Sequence, residues 1–204
     1  MTKTSPPVIG LLLAGGLSRR MGGGDKCLRL LGGETILARI IAQVRPQVRR
    51  LVLNANGDPA RFAAYALPVI ADSIAGFAGP LAGVLAGLDW SAANAPDCLW
   101  VASVPSDAPF LPSDLVDRLA AAVEQGADLA CAASGGQSHP VVGLWPVRLR
   151  DDLRRALTVE HIHKVDVWTG RYRLAVVDFP IAAVDPFFNT NRPEDLAEAE
   201  RLLA

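Results

Sequence analysis

Short apolar runs rich in β-branched residues alternate along this chain with longer stretches whose apolar positions recur at intervals of three and four. That alternation is the rhythm of βα units, and it confines the fold to a mainly parallel sheet covered by helices. It predicts strands at 8–13, 51–53, 68–71, 98–104, 129–133, 141–145 and 173–179. Helices fit the intervals. Over 35–44, Ile36, Ile40, Ile41 and Val44 form one stripe, as a helix lying on a sheet requires. Gly79-Pro80 reads as a helix start, because proline at the first helical position forfeits only an amide that would be unpaired anyway. Ser113 is placed to cap a helix over 114–125 that Gly126 closes, and Pro193 opens a final helix. Residues 134–140, Ser-Gly-Gly-Gln-Ser-His-Pro, read as a loop after which strand order can depart from simple winding.

With 204 residues, half of them hydrophobic, the chain can bury one substantial core, so a single domain over 1–204 is expected. Lysine and arginine number 20 against 21 aspartates and glutamates. No basic excess exists to track a phosphate backbone, and a nucleic-acid partner is not expected. Cys27, Cys98 and Cys131 lie far apart, with no C-x-x-C pair, so neither a disulfide framework nor a zinc site is indicated. The uncharged stretch 74–88 contains Pro80 and four glycines and is shorter than the roughly 20 residues that cross a bilayer. No membrane partner is expected, and a cytoplasmic location is the default.

The chemistry concentrates after the first strand, in 13–26, which reads Leu-Ala-Gly-Gly-Leu-Ser-Arg-Arg-Met-Gly-Gly-Gly-Asp-Lys. In open α/β sheets ligands collect at the carboxyl ends of strands. Gly15 and Gly16 let backbone amides approach a phosphate, and Arg19, Arg20 and Lys26 add positive charge where anionic oxygens would sit. Two familiar phosphate motifs fail here. Lys26 lies between Asp25 and Cys27, which breaks the G-x-x-x-x-G-K-[ST] loop, and adjacent glycines followed by a long basic loop are not G-x-G-x-x-G.

Leu13-Ala-Gly-Gly16, Ser18, Arg20-Met-Gly22 and Asp25-Lys26 resemble the signature of the nucleotidyltransferases that activate sugars, alditols and molybdopterin. Within that group the chain is similar to the molybdenum cofactor guanylyltransferases, the MobA-type enzymes. The resemblance continues through Asn54-Ala-Asn56, Asp72, Gly79-Pro-Leu-Ala-Gly83, Pro105-Ser-Asp-Ala-Pro-Phe-Leu-Pro112, His139-Pro140 and the segment 188–196, and so covers nearly the whole chain. It implies a Rossmann-like nucleotidyltransferase fold with helices on both faces of the sheet. It also implies a GTP site of Leu13, Ala14, Gly15, Gly16, Lys26, Asn54, Asp72 and Asp107. Asp107 would be the Mg²⁺ ligand, and its place after an apolar run independently suits a carboxylate facing a phosphate loop. Catalysis would rest on Lys26, Arg20 and Asp107, and molybdopterin on the C-terminal part, with His139, Lys164, Asn189 and Asn191 as candidates.

Plainer roles exist for several of these residues. Asp107 between prolines also fits a turn, Asp72 a strand-end turn, and Asn54 and Asn56 turn residues as readily as ligand contacts. His139 fits a hydrogen-bonding residue better than a general base, and Lys164 with Trp168 fits a solvated lysine beside a buried tryptophan. The implied reaction is transfer of GMP from GTP to the terminal phosphate of molybdenum-bound molybdopterin, with pyrophosphate released. Its implied protein partners are molybdenum insertion proteins and apo-molybdoenzymes or their chaperones. Two rivals remain, the same transfer from CTP and a noncatalytic nucleotide-binding adaptor that delivers cofactor. Leu-Ala-Gly-Gly and Pro-Ser-Asp favour GTP, since the cytidylyl relatives tend toward Leu-Ala-Ala-Gly and Gly-Asp-Met-Pro.

Overall fold

Alternate residues of the first strand face two different cores, and the doubly covered sheet follows from that. In the computed structural model, which describes residues 7–14, 25–74, 76 and 79–203, strand β1 (Val8–Leu13) sends Val8 and Leu12 into one apolar cluster and Ile9 and Leu11 into the other. Strands β4 (Arg50–Asn54) and β6 (Trp100–Pro105) divide in the same way, with Leu51, Leu53, Ala102 and Val104 on the first side and Val52 and Val101 on the second. Helices α1 (Ile36–Val44), α3 (Leu115–Glu124) and α6 (Pro193–Leu203) contribute to the first core. The second is covered by α2 (Pro80–Asn94), α4 (Arg150–Thr158) and α5 (Val165–Thr169).

The sheet has seven strands in the order β5-β4-β1-β6-β8-β7-β9, completed by β5 (Val69–Ile70), β7 (Leu129–Ser134), β8 (Gln137–Pro146) and β9 (Leu174–Asp178). Only β8 runs antiparallel to its neighbours, β6 and β7. Each of the seven overlaps a stretch expected to be a strand. A separate two-stranded hairpin, β2 (Leu30–Leu31) with β3 (Glu34–Thr35), is too short to leave a periodic signal. Among the described residues no helix is long and apolar enough to cross a membrane.

Two local expectations need correction. Residues 134–140 are not a loop: Gly135 and Gly136, both at positive φ, make a two-residue turn, and β8 begins at Gln137. Ser113 does not cap α3. Asp114 precedes the helix without a side-chain cap, and the free Val116 amide donates instead to Oε1 of buried Gln47, 3.0 Å away. The interval 150–169, where no helix bounds were expected from the sequence, holds α4 and α5, whose Leu153, Ala156, Leu157 and Trp168 cover the second core.

Candidate active site at the carboxyl edge of the sheet

Adjacent parallel strands β5, β4, β1 and β6 end at one edge, and the chemistry gathers there. Leu13 and Asn54 pair as the last residues of β1 and β4, and Ala14 follows, its amide donating to the Asn54 carbonyl at 2.9 Å. The Leu13 carbonyl accepts from the Ser106 amide at 3.1 Å. These backbone groups are thus already engaged in the sheet edge. Gly15, Gly16 and Arg20 lie outside the described residues.

Asn54 is buried, and its Nδ2 donates to Asp72 Oδ1 at 3.0 Å and to the Ile70 carbonyl at 3.3 Å. Asn56 donates from Nδ2 to Asp72 Oδ2 at 2.8 Å and accepts the Asp72 amide at 2.9 Å. Both carboxylate oxygens of Asp72 are therefore oriented by amides, and the three residues form one rigid polar patch. The patch depends on close approach of α2. A Cβ added at Gly83 would lie 2.5 Å from Asn54 Oδ1 and 2.6 Å from Leu13 Cδ2. Gly83→Ala is accordingly expected to destabilise the fold by about 1–3 kcal/mol through overpacking, lowering Tm by a few degrees, and to weaken nucleotide binding. Thermal unfolding with a nucleotide titration checks this, and an unchanged Tm would show that α2 can simply shift.

On the other side of β1, Asp107 stands two residues past the end of β6. Its carbonyl accepts from the Thr190 amide at 2.9 Å and from Thr190 Oγ1 at 3.1 Å, which pins the C-terminal segment beside it. Lys26 Nζ donates to Asp107 Oδ2 at 3.2 Å and to Asn191 Oδ1 at 2.5 Å. Three residues distant in sequence thereby meet, the lysine and the carboxylate each about one-fifth exposed. Among the described residues no donor engages Asp107 Oδ1, and no group of three His, Cys, Asp or Glu forms a metal cage. A single accessible carboxylate suits Mg²⁺, which takes one or two carboxylates and completes its shell with phosphate oxygens and water.

A groove of about 260 Å³ opens beside Asp107, lined by His139, Pro140, Phe187, Asn189 and Asn191 among others. His139 Nε2 lies 2.8 Å from Ser134 Oγ, which itself donates to Asp185 Oδ1 at 2.8 Å. The carboxylate can only accept the serine proton, so Nε2 carries the hydrogen that Ser134 receives. Burial lowers the His139 pKa while the Asp185 charge opposes the shift. Asp185 Oδ1 also accepts the Phe187 amide, and the Phe187 ring packs on His139 with centroids 4.7 Å apart. Four of the expected site residues, Asp107, His139, Asn189 and Asn191, thus line one groove.

Lys164 is exposed at the start of α5, and among the described residues no hydrogen bond or ion pair joins it to that groove. Trp168 is buried and donates to Asp152 Oδ2 at 3.0 Å. Ser134, Asp185 and Thr190, which orient the site, were not singled out from the sequence; their short polar side chains look like those of ordinary turns. Cys27 is buried beside Asp25, and its thiol pKa is pushed up to about 11, chiefly by burial, so it is a thiol rather than a nucleophilic thiolate at neutral pH.

A doubly covered α/β sheet with a lysine, a carboxylate and an amide-held aspartate at its carboxyl edge defines a nucleotide-handling protein. The family model described as the MobA-like NTP transferase domain matches residues 10–170, and the chain belongs to that family as a nucleotidyltransferase. A protein of Bradyrhizobium sp. (strain ORS 278) named molybdenum cofactor guanylyltransferase is 61% identical over 204 residues, covering 100% of this chain and 96% of its own. Another of that name, from Rhodopseudomonas palustris (strain BisB5), is 61% identical over 97% of this chain and 94% of its own. Among solved structures, molybdopterin-guanine dinucleotide biosynthesis protein A from Archaeoglobus fulgidus superposes with a TM-score of 0.73 at 23% identity, covering 96% of this chain and 98% of that one, and shows the same fold.

Proposed function

We propose that this protein transfers GMP from GTP to the terminal phosphate of molybdenum-bound molybdopterin, giving the guanine dinucleotide and pyrophosphate. The observation that carries the reading is the Lys26–Asp107 pair between the Asn54–Asn56–Asp72 patch and the His139–Asn191 groove, in a chain 61% identical to named guanylyltransferases. The N-terminal part holds the nucleotide and the C-terminal part the pterin substrate. An oxygen of the substrate's terminal phosphate bonds to the α-phosphorus, and the bond from that phosphorus to the oxygen bridging to the β-phosphate breaks.

An ionised phosphate is already a nucleophile, so the protein's task is positioning and charge stabilisation rather than proton removal. Mg²⁺ bound at Asp107 would supply neutralising charge at the α-phosphate oxygens. Lys26 stabilises the departing pyrophosphate with Arg20, while Asn54 and Asp72 hold the nucleoside. Asn189, Asn191 and His139 face the second substrate, and Lys164 is assigned to it on the family resemblance alone. The substrates are GTP and molybdenum-loaded molybdopterin; molybdenum insertion proteins and apo-molybdoenzymes or their chaperones are the partners, and the cytoplasm is the place.

GTP is expected to be used at least tenfold better than CTP or ATP, which takes only about 1.4 kcal/mol of differential transition-state stabilisation. Competition of the three nucleotides at equal concentration, with molybdenum-loaded molybdopterin and Mg²⁺, tests it. A predominance of the cytosine dinucleotide would replace the guanylyl reading with the cytidylyl one.

A further inference from the structure

Asp25 belongs to the Asp25-Lys26 pair of the glycine-rich segment, yet nothing in the reaction above uses it. It precedes the short 3₁₀ turn Lys26–Leu28 without capping it through its side chain. Its carboxylate instead meets Arg61, with Nε to Oδ2 at 3.1 Å. From Nη2 the same guanidinium donates to the Asn56 carbonyl at 2.5 Å. Arg61 thereby joins the backbone that carries Lys26 to the residue that orients both an oxygen and the amide of Asp72.

The arm that presents Arg61 is itself fixed. It lies on a 3₁₀ helix, Pro59–Tyr65, whose first turn is capped by Asp58 Oδ1 accepting the Ala60 amide at 2.9 Å. Phe62, the next residue, is buried in the first core, and Tyr65 Oη lies 2.8 Å from Thr35 Oγ1 at the start of α1. A guanidinium suits the bridging position because it offers several donors in a planar fork, whereas an ammonium is a point charge. The side chains of Asp25 and Arg61 are about one-fifth and one-third exposed, so this is a partly sheltered, charge-assisted contact.

We propose that Asp25 and Arg61 form a positioning bridge that locks the phosphate-side Lys26 in register with the nucleoside-side Asn56–Asp72 patch, so that one GTP molecule meets both halves at once. The bridge rests on the reading that GTP is the nucleotide. Neither residue touches the reacting atoms; both act through Lys26 and Asn56.

The test is calorimetric titration of GTP into the full chain and into Asp25→Asn, Arg61→Met, Arg61→Lys and the double variant Asp25→Asn/Arg61→Met, with circular dichroism and Tm recorded for each. Either single neutral substitution is expected to raise the Kd for GTP about tenfold. Because both break one bridge, the double variant should also lose about tenfold rather than the product, about a hundredfold. Arg61→Lys, which keeps the charge near Asp25 but not the fork, should fall between wild type and Arg61→Met with an unchanged Tm, and it keeps the test valid if Arg61→Met folds poorly. Unchanged GTP affinity in the single variants, or a multiplicative loss in the double variant, would overturn the bridge while leaving the guanylyl reading intact. Wild-type protein that failed to bind GTP at all would overturn both.

Discussion

Asp107→Asn is expected to fold normally and to lose about 10²-fold or more in turnover. The expectation separates two jobs of the residue. Its structural job belongs to the backbone, where the carbonyl accepts both the amide and the hydroxyl of Thr190, and that pair is indifferent to the side chain. The catalytic job belongs to the carboxylate, whose charge faces Lys26 and, on the proposed mechanism, Mg²⁺. An uncharged amide of the same shape keeps the packing and removes the electrostatics, and loss of one preorganised group of this kind costs on the order of 10²–10³ in rate. Steady-state assays at limiting Mg²⁺, beside thermal unfolding of the same variant, check it. Near-normal turnover at limiting Mg²⁺ would remove Asp107 from the mechanism.

Lys26→Ala should weaken GTP binding and slow transfer together. An ammonium that contacts the phosphates acts on the ground state and on the charge that grows on the leaving pyrophosphate, so both KM and kcat move. A loss on the order of 10²-fold in kcat/KM is expected for a preorganised cation at a developing charge. The alanine also leaves Asp107 and Asn191 without the donor that now joins them, which loosens the groove side. Kinetics with GTP varied at saturating second substrate separates the two parameters. An unchanged kcat/KM for GTP would show Lys26 to be ordinary surface.

The sheet was legible because burial on both faces writes a strong signal: strand β1 is apolar at five of its six positions, and every strand of the large sheet fell within or across an expected stretch. Helix α4 was not delimited because its apolar residues are few and embedded among Arg150, Asp151, Asp152, Arg154 and Arg155, and α5, only five residues long, is too short to show a helical period. The capping of α3 was illegible in principle from local pattern, since Gln47 reaches it from 69 positions away. Gly135-Gly136 is compatible with either a loop or a tight hairpin, and only the ladder from Ser134 and Gln137 decides between them.

The site divides in the same way. Lys26 stood out at the end of the basic, glycine-rich segment and Asp107 just past a strand, but their meeting across 81 positions, and that of Lys26 with Asn191 across 165, is a consequence of topology rather than spacing. Asn54 and Asn56 fitted a turn as well as a ligand site, and the structure gives them a further task, holding Asp72. His139 carried no sign of its tautomer, because Ser134 and Asp185, which set it, come from another strand and a distant segment.

The central claim, that this chain is a catalyst joining GMP to a phosphate rather than a carrier of finished cofactor, is tested most directly by one assay. Purified protein is mixed with GTP, Mg²⁺ and molybdenum-loaded molybdopterin, and pyrophosphate is measured beside the dinucleotide product. One pyrophosphate per guanine dinucleotide, over many turnovers and dependent on both substrates, is the predicted result. Binding of GTP without pyrophosphate release under those conditions would contradict the account and leave the protein a nucleotide-binding adaptor.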